Sequence, residues 1–327
     1  MNRKTFTLTA LALAAAASLP WTAHAQAVKL TLGHGAAPGN PRHEAAVLFA
    51  DRIKAKTNGR IEIQVAHSAQ LGDDAAMVTA LRSGTLDMSA NSQGAMANVV
   101  PEYSALGLPF LFSDVQKAWQ LLDGPVGAEL SKRTAAKGMV VLGYWDNGIR
   151  HVTNSKRAVK APSDLKGLKI RTPPDTMTVD IMQTLGADTQ QIKFAELYVA
   201  LQQGVVDGQE NPLANIASAK LYEVQKYLTL TGHKYEANPF VMSKRSWDKL
   251  SPADQKVFTE AAAEATQAQR KLSKEADEKL VTDLKAKGVQ IDTVDRKVFV
   301  EATKPVYAKW STGPISDFVK QVVEQAQ

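Results

Sequence analysis

The chain has 327 residues, which is long enough for two domains of about 150 residues each. Hydrophobic residues make up 44% and charged residues 22% of the chain, a composition typical of globular proteins and unlike that of a disordered chain. Cysteine is absent, which excludes disulfide scaffolds, cysteine-ligated zinc, iron–sulfur clusters and thiol nucleophiles.

The formal net charge of +6 comes from basic residues that are scattered along the chain. The densest basic stretch, residues 156–169, contains no aromatic residue that could stack on a base. A nucleic-acid-binding surface usually shows a basic stripe with stacking residues, so we expect no nucleic-acid partner. A mild positive balance instead favours small anionic molecules.

The first 25 residues have the three parts of a secretory signal. Arg3 and Lys4 form a short positive region, residues 8–19 form an apolar segment, and residues 23–25 (Ala-His-Ala) provide a cleavage site. This pattern predicts cleavage after Ala25 and a periplasmic protein without stable membrane insertion. The alternative, a membrane anchor, is disfavoured because the apolar run is shorter than the about 20 residues that cross a bilayer.

Strand and helix patterns alternate along the rest of the chain. The predicted strands are residues 28–32, 61–65, 85–89, 139–145, 168–171, 188–191 and 205–208. The predicted helices are residues 42–57, 73–82, segments within 115–137, 175–185, 195–203 and a long region from Ser251 to Lys287. This alternation predicts an α/β architecture with largely parallel sheets.

Two segments of the chain resemble each other. Residues 80–91 and 200–211 share Ala, Leu, Gly, Asp and Asn at equivalent positions, and each reads as a helix end, a glycine stop, a strand and an asparagine-bearing loop. We interpret them as parts of two similar α/β units. The alternative is a common helix–turn–strand pattern that recurs by chance.

Three polar residues lie at or beyond the ends of predicted strands: Arg171 closes one, and Arg150 and Asn211 each follow another. Ligands of open α/β sheets bind beyond the carboxyl ends of the strands, so we expect these residues to meet at one edge. An arginine suits a carboxylate there because its planar guanidinium donates two parallel hydrogen bonds. The alternatives are a salt bridge for Arg171 and a solvated loop position for Arg150.

Motifs of common enzymes are missing, including the nucleophile elbow, the zinc-protease helix and the phosphate-binding loops. The spacing of the candidate metal ligands does not match that of two ligands one turn apart on a helix, which argues against a metal site. The candidates are His34, His43, His67, Glu44, Asp73 and Asp74. We therefore expect no metal, no cofactor and no enzymatic activity. An exported enzyme that acts on a sugar acid remains the rival hypothesis, with His34 or Asp74 as its base.

The chain resembles the solute-binding proteins of tripartite ATP-independent periplasmic (TRAP) transporters, of the dicarboxylate-binding, DctP-like type. The resemblance covers essentially the whole mature chain. It is sharpest in residues 70–73 (QLGD), 108–112 (LPFLF), 165–173 (LKGLKIRTP), 194–212 (FAELYVALQQGVVDGQENP) and 223–227 (EVQKY).

This resemblance implies a two-domain, periplasmic-binding-protein-like fold with hinge strands and a long helix that spans both domains. The expected boundaries are a signal peptide at 1–25, a mainly N-terminal lobe at 26–150, a mainly C-terminal lobe at 151–240 and a helical segment at 241–327 that returns to both lobes. It also implies a monomer that closes over an organic acid. That acid would be delivered to the small and large permease subunits of a sodium-driven transporter.

The resemblance also implies roles for individual residues. Arg171 matches the signature arginine that clamps the ligand carboxylate. Arg150 matches the family's other binding-site arginine, which follows the turn at Asn147. Phe194 matches the aromatic residue that packs on the ligand. The remaining expected contacts are Asn147 itself, the amide of Asn211, and the first-lobe residues His34, Asp74, Ser92 and Gln93.

The expected first-lobe contacts are polar and partly acidic, whereas a dicarboxylate would need cations at both ends of the cleft. An aspartate repels a second carboxylate but accepts hydrogen bonds from sugar hydroxyls. We therefore expect a hydroxylated monocarboxylate, such as glucuronate, galacturonate or an aldonate. A C4-dicarboxylate stays open as the alternative, as do a purely helix-capping role for Asp74 and a sensing role in place of uptake.

Overall fold

A computed structural model describes residues 27–326. The predicted signal peptide, residues 1–25, lies outside the described residues. The strands are β1 (Val28–Gly33), β2 (Ile61–Ala66), β3 (Met88–Ala90), β4 (Met139–Asn154), β5 (Lys169–Thr172), β6 (Asp188–Gln191), β7 (Gly208–Pro212), β8 (Tyr227–Ser243) and β9 (Gln290–Thr293).

Helices separate most of these strands. They are α1 (Pro41–Lys56), α2 (Asp74–Ser83), α3 (Gln93–Ala97), α4 (Val115–Asp123), α5 (Pro125–Ala135), α6 (Thr176–Thr184), α7 (Leu197–Gln202), α8 (Leu213–Ser218), α9 (Lys244–Trp247), α10 (Pro252–Ala286), α11 (Arg296–Trp310) and α12 (Ser316–Ala326). Short 3-10 helices lie at Pro101–Gly107, Pro162–Leu165, Phe194–Glu196 and Leu221–Glu223. None of the helices in residues 27–326 combines the length and the apolar composition that crossing a membrane requires.

The described strands form one mixed sheet in the order β2-β1-β3-β8-β4-β7-β5-β6, with β9 paired to β8. The strands at both ends pair in parallel, as β1 does with β2 and β5 with β6. The central pairs β3–β8, β8–β4 and β4–β7 are antiparallel. We call the part around β1, β2 and β3 the first lobe and the part around β5, β6 and β7 the second lobe.

The two long strands β4 and β8 connect the lobes. They pair with each other from Met139↔Ser243 to Asn154↔Tyr227, with three register shifts along the way. One end of β8 pairs with β3 in the first lobe, and the far end of β4 pairs with β7 in the second lobe. These two strands therefore occupy the position of hinge strands, and a boundary at residue 150 falls inside β4.

The 35-residue helix α10 contacts both lobes. Ser251 caps its first turn by accepting a hydrogen bond from the amide of Asp254, and Pro252 occupies the first position. Its N-terminal half packs Phe258 against Phe49 of α1. Its C-terminal half places Leu284 in the core formed by α7 and α8. The long domain-spanning helix expected from the sequence is thus confirmed.

The predicted fold class is confirmed, but four details differ from the prediction. The strand predicted at 139–145 continues to residue 154, and the strand predicted at 205–208 lies at 208–212. Strand β8 was not predicted, since its buried stretch contains His233, Lys234 and Glu236 among apolar residues. The expectation of largely parallel pairing is wrong for the central strands, because β4 and β8 run in opposite directions through both lobes.

Candidate functional site

A cavity of about 800 Å³, its open mouth included, lies between the lobes. The first lobe contributes Arg42, Asp73, Asp74 and Ser92 to the wall, and the crossing strands contribute Asn147, Arg150 and Glu236. The second lobe contributes Arg171, Asp175, Lys193, Phe194, Asn211 and Asn215.

The cavity brings together seven of the nine residues predicted from the sequence. Arg171, Arg150, Asn211, Phe194, Asp74, Ser92 and Asn147 all line it. The other two, His34 and Gln93, do not line it. Residues from positions 74 to 211 thus meet at one place because β4 and β8 hold the two lobes against each other.

Arg171 is a buried cation at the wall of the cavity. It lies in β5 with 2% of its surface exposed, and its Nε donates a hydrogen bond to the carbonyl of Ile192 at 2.8 Å. Its guanidinium carbon lies 5.9 Å from the ring centre of Phe194. Among residues 27–326 no carboxylate oxygen lies within 4.0 Å of its nitrogens, and burial lowers its pKa to about 10. A desolvated cation of this kind favours an anionic ligand.

Arg150 is equally buried but fully neutralised. Its guanidinium forms ion pairs with Glu210 and Glu236, and its Nη2 also donates to the carbonyl of Glu210 at 2.7 Å. Burial opposes the charge of Arg150, yet the two carboxylates raise its pKa above the usual value. Burial likewise acts against the charge of Glu210, and Arg150 nevertheless lowers the pKa of that carboxyl to about 2.

The sequence prediction therefore misplaces Arg150. We expected it in a loop beyond a strand end, with a solvated side chain as the alternative. It instead lies inside β4, where it pairs with Pro212 of β7 on one side and Lys234 of β8 on the other. Its two carboxylate partners come from these neighbouring strands, which sequence spacing does not reveal.

An amide network connects the two lobes behind the cavity. Asn211, which lies within β7 rather than after it, accepts a hydrogen bond from Asn215 at 3.2 Å. Asn215 also donates to Asn147 at 3.2 Å and accepts from Asn40, the N-cap of α1, at 3.0 Å. The network joins α1 of the first lobe to α8 of the second lobe.

The ion pair between Lys193 and Asp73 also bridges the lobes. The Lys193 Nζ lies 2.8 Å from the Asp73 carboxylate at the rim of the cavity. Asp73 is at the same time the N-cap of α2, where it accepts a hydrogen bond from the amide of Ala76. The Lys193 side chain is 58% exposed, so water screens much of this attraction.

Asp74 occupies the first position of α2 beside the cavity. Its Oδ2 accepts a hydrogen bond from the backbone amide of Ser92 at 3.0 Å. This contact orients the carboxylate and positions Ser92 at the N-cap of α3.

Arg42 of α1 is a cavity residue that the sequence reasoning missed. It is 5% exposed, and its Nη2 donates to the side-chain oxygen of Asn147 at 2.9 Å. Within the described part of the chain its Nε has no hydrogen-bond partner. A signal was available, because a cation in the first turn of a helix is unfavourable and indicates another role.

His34 and Gln93 make internal contacts instead of lining the cavity. His34 is fully buried, its Nδ1 accepts from the amide of Ala36 at 3.2 Å, and burial lowers its pKa to about 3. Gln93 accepts a hydrogen bond from the amide of Ala237 in β8 at 2.9 Å. The geometry therefore gives no support to the predicted ligand contacts of these two residues.

The three histidines considered as metal ligands do cluster. His43 lies with its ring centre 5.4 Å from that of His34 and 5.2 Å from that of His67. Across residues 27–326, however, no group of three or more His, Asp or Glu side chains has an arrangement that could hold a metal ion.

The chain is similar to known proteins along most of its length. Residues 32–312 match the family of bacterial extracellular solute-binding proteins, family 7 (DctP). An uncharacterized protein of Sinorhizobium fredii, y4mM, is 59% identical over 278 residues, which cover 85% of this chain. The match covers 51% of that relative, so this chain spans about half of its length. The 2,3-diketo-L-gulonate-binding periplasmic protein YiaO of Escherichia coli is 39% identical, and the match covers 86% of each chain.

Solved structures show the same architecture. A TRAP periplasmic solute-binding protein from Polaromonas, bound to D-erythronate, is 38% identical with a TM-score of 0.88; the match covers 90% of this chain and 98% of that one. The sugar-acid-binding protein DctPAm from Advenella mimigardefordensis, in complex with galactonate, is 33% identical with a TM-score of 0.90. That match covers 92% of this chain and 98% of the other.

Proposed function

Because the chain belongs to the DctP family of bacterial extracellular solute-binding proteins, and within it to the TRAP type, we propose that it captures a sugar acid for uptake. The ligand is an aldonate or a hexuronate, such as glucuronate or galacturonate, held between the lobes in the periplasm. The loaded protein delivers this acid to the small and large permease subunits of a sodium-driven transporter. Its partners are thus a small organic acid and a membrane permease.

The buried guanidinium of Arg171 carries this proposal. It lines the cavity, and no carboxylate among residues 27–326 forms an ion pair with it, so its donors remain available to a ligand. A ligand carboxylate accepts two parallel hydrogen bonds from them. The ring of Phe194 beside the guanidinium supplies an apolar surface against which the carbon chain of the ligand packs.

Two ligands bound by structural relatives support a sugar acid. D-erythronate and galactonate each combine one carboxylate with several hydroxyl groups. The cavity of this chain offers matching chemistry, with the guanidinium of Arg171 for the carboxylate and side chains such as Asp74 and Asn211 for hydroxyls.

Closure of the lobes explains capture and release. The cavity wall combines residues of both lobes, so a ligand that contacts both sides binds the closed arrangement better than an open one. Closure also removes water, which strengthens the attraction between Arg171 and a carboxylate. In this mechanism the second-lobe residues bind first and the first lobe then closes over the remaining end.

A C4-dicarboxylate is the second candidate ligand, and one observation favours it. Arg42 places a second buried guanidinium without an ion-pair partner among the described residues, and it does so from the first lobe. The sequence reasoning disfavoured a dicarboxylate because it found no first-lobe cation. Arg42 is such a cation, so that argument against a dicarboxylate no longer applies. The choice between a sugar acid and a dicarboxylate then depends on the charged groups around Arg42.

Binding experiments test the function directly. Isothermal titration of the refolded, ligand-free protein should show binding of D-galactonate, D-erythronate or a hexuronate and weaker binding of succinate and malate. Binding of the two dicarboxylates alone would replace the sugar acid by the second candidate. Binding of no acid in the panel would contradict organic-acid capture. Mass spectrometry after incubation should recover the acid unchanged, whereas conversion would support the rival enzyme.

A further inference from the structure

Arg42 is a candidate ligand contact because its guanidinium is buried at the cavity and some of its hydrogen-bond donors have no partner. It lines the cavity, its Nη2 donates to Asn147, and its Nη1 reaches the carbonyl of Ala90 only at 3.5 Å. Its Nε has no partner within residues 27–326. A buried guanidinium left with unused donors is costly to the protein unless another group accepts from it.

Asp74 is the carboxylate that acts most strongly on the charge of Arg42. Burial lowers the pKa of Arg42, and among charged neighbours Asp74 opposes this most. Within residues 27–326 Asp74 acts on Arg42 through its charge and forms no ion pair with it. Both residues line the cavity, so both are accessible to a bound molecule. A hydroxyl group of such a molecule can accept from Arg42 and donate to Asp74.

The other charged groups of the wall already have partners. Lys193 pairs with Asp73, and Asp175 pairs with the buried Lys234. Arg150 pairs with both Glu236 and Glu210, a cluster that contains one more carboxylate than guanidinium.

Among the charged wall residues that the structure describes, Arg171, Arg42 and Asp74 lack an ion pair. A second carboxylate would lie near Asp74 and near the acidic Arg150 cluster, where like charges repel it.

We infer that Arg42 and Asp74 together form a donor–acceptor pair that binds hydroxyl groups at the end of the ligand remote from Arg171. The pair is a specificity determinant, because it favours polyhydroxylated monocarboxylates over dicarboxylates of the same length. This assignment rests on the proposed capture of organic acids and narrows it to one chemical class. It also gives Arg42 a function opposite to that of a second carboxylate clamp.

Three probe ligands separate these functions. D-galactonate has a carboxylate and a hydroxyl-bearing tail, and galactarate has the same carbon skeleton with a carboxylate at both ends. Glycerate carries a carboxylate on a chain of three carbons and lacks the longer hydroxyl-bearing tail that this assignment places at the pair. Titration calorimetry should show tighter binding of galactonate than of galactarate to the unsubstituted protein.

Substitution of Arg42 then tests its part in the pair. Arg42→Gln should weaken galactonate binding by about 10- to 100-fold, as expected for loss of a charged hydrogen-bond donor. Glycerate affinity should stay nearly unchanged. Equal losses for both ligands would overturn the inference by making Arg42 a purely structural residue, and no loss for either would overturn it as well.

Asp74→Asn tests the acceptor. This change removes the repulsion toward a second carboxylate, so the preference for galactonate over galactarate should shrink. An unchanged preference would contradict the role of Asp74. The matched control is Arg52→Gln, on the exposed side of the same helix, where Arg52 pairs with Glu264 at 3.0 Å. It should leave all three affinities unchanged.

The function and the specificity assignment fail differently. An unsubstituted protein that binds galactarate or succinate more tightly than galactonate contradicts the hydroxyl-binding pair but leaves organic-acid capture intact. An unsubstituted protein that binds none of these acids contradicts the proposed function itself, and the inference with it. Melting temperatures of the ligand-free variants establish that each one is folded.

Discussion

The guanidinium of Arg150 makes two side-chain hydrogen bonds to one carboxylate, that of Glu210, and the Nη2–Oε1 distance is 2.6 Å. Glu210 also lies 3.2 Å from the Nε2 of His233. The same guanidinium bonds to Glu236. Arg150 therefore pairs with two buried carboxylates of the protein itself, whereas Arg171, on the same cavity, has no such partner among the residues described.

Arg150→Ala should lower the free energy of unfolding of the ligand-free protein. The substitution leaves Glu210 and Glu236 buried without their cation, and breaking a buried ion pair costs about 3–5 kcal/mol. Urea denaturation near pH 7 measures the change. The comparison variant is Arg171→Ala, which removes a cation of similar burial that has no carboxylate partner in residues 27–326. Equal stability of the two variants would contradict the division of roles.

Arg171→Ala should leave the ligand-free protein folded and weaken acid binding by about 100-fold or more, because charged hydrogen bonds to the carboxylate are lost. Arg171→Lys should also lose affinity, since an ammonium group cannot form two parallel hydrogen bonds. Calorimetric titration with galactonate measures both. Collapse of the ligand-free melting temperature would instead identify Arg171 as structural.

Asn211→Ala should weaken binding less than Arg171→Ala does. The side chain of Asn211 is uncharged and already accepts from Asn215, so its contribution to a ligand is that of a neutral hydrogen bond, about 1 kcal/mol. The same titrations compare the two variants. A larger loss for Asn211→Ala than for Arg171→Ala would contradict the primary role of the guanidinium.

Lys193→Met should speed ligand release by a small factor, up to about fivefold, because exposed ion pairs contribute at most about 1 kcal/mol. The effect should diminish at high salt, which screens the bridge between Lys193 and Asp73. Stopped-flow displacement measures release. Asp73→Ser is the matched variant, since serine keeps the N-cap of α2 but removes the charge. Opposite effects of the two substitutions would argue against a closing contact.

Asp277→Asn should change how stability depends on pH. Burial and the neighbouring charge of Asp146 raise the pKa of Asp277 to about 7, above its value in the unfolded chain. The folded state therefore binds the extra proton, and stability falls as pH rises from about 4 through 7. Asparagine does not titrate, so the variant lacks this dependence. The free energy of unfolding of the variant, relative to that of the unsubstituted protein, should therefore increase over that pH range. Urea titrations at several pH values measure it, and parallel profiles would refute the shift.

Much of the fold follows from local sequence patterns. The alternating residues of β1 and β2 and the serine–proline start of α10 predict elements that the structure contains. Strand β8 escaped prediction because Lys234 and Glu236 make it look like a polar loop. Their burial becomes favourable only when Asp175 and Arg150 approach from distant parts of the chain.

The candidate site was predictable only in part, for the same reason. Arg171 follows from a strand-end position within a recognisable motif. Arg150 pairs with two carboxylates that lie 60 and 86 residues further along the chain. Its charge is neutralised because the strands that carry these carboxylates lie beside β4. The inward direction of Arg42 depends on how α1 docks against β4, through Asn147, which lies 105 residues away.

The insertion of β8 between β3 and β4 has a consequence for biosynthesis. A nascent polypeptide that ends before Tyr227 lacks the strand that joins the sheet of the first lobe to the rest, since β3 and β4 both pair with β8 and not with each other. Such distant pairing delays the joining of the two lobes until about three-quarters of the chain has been synthesised.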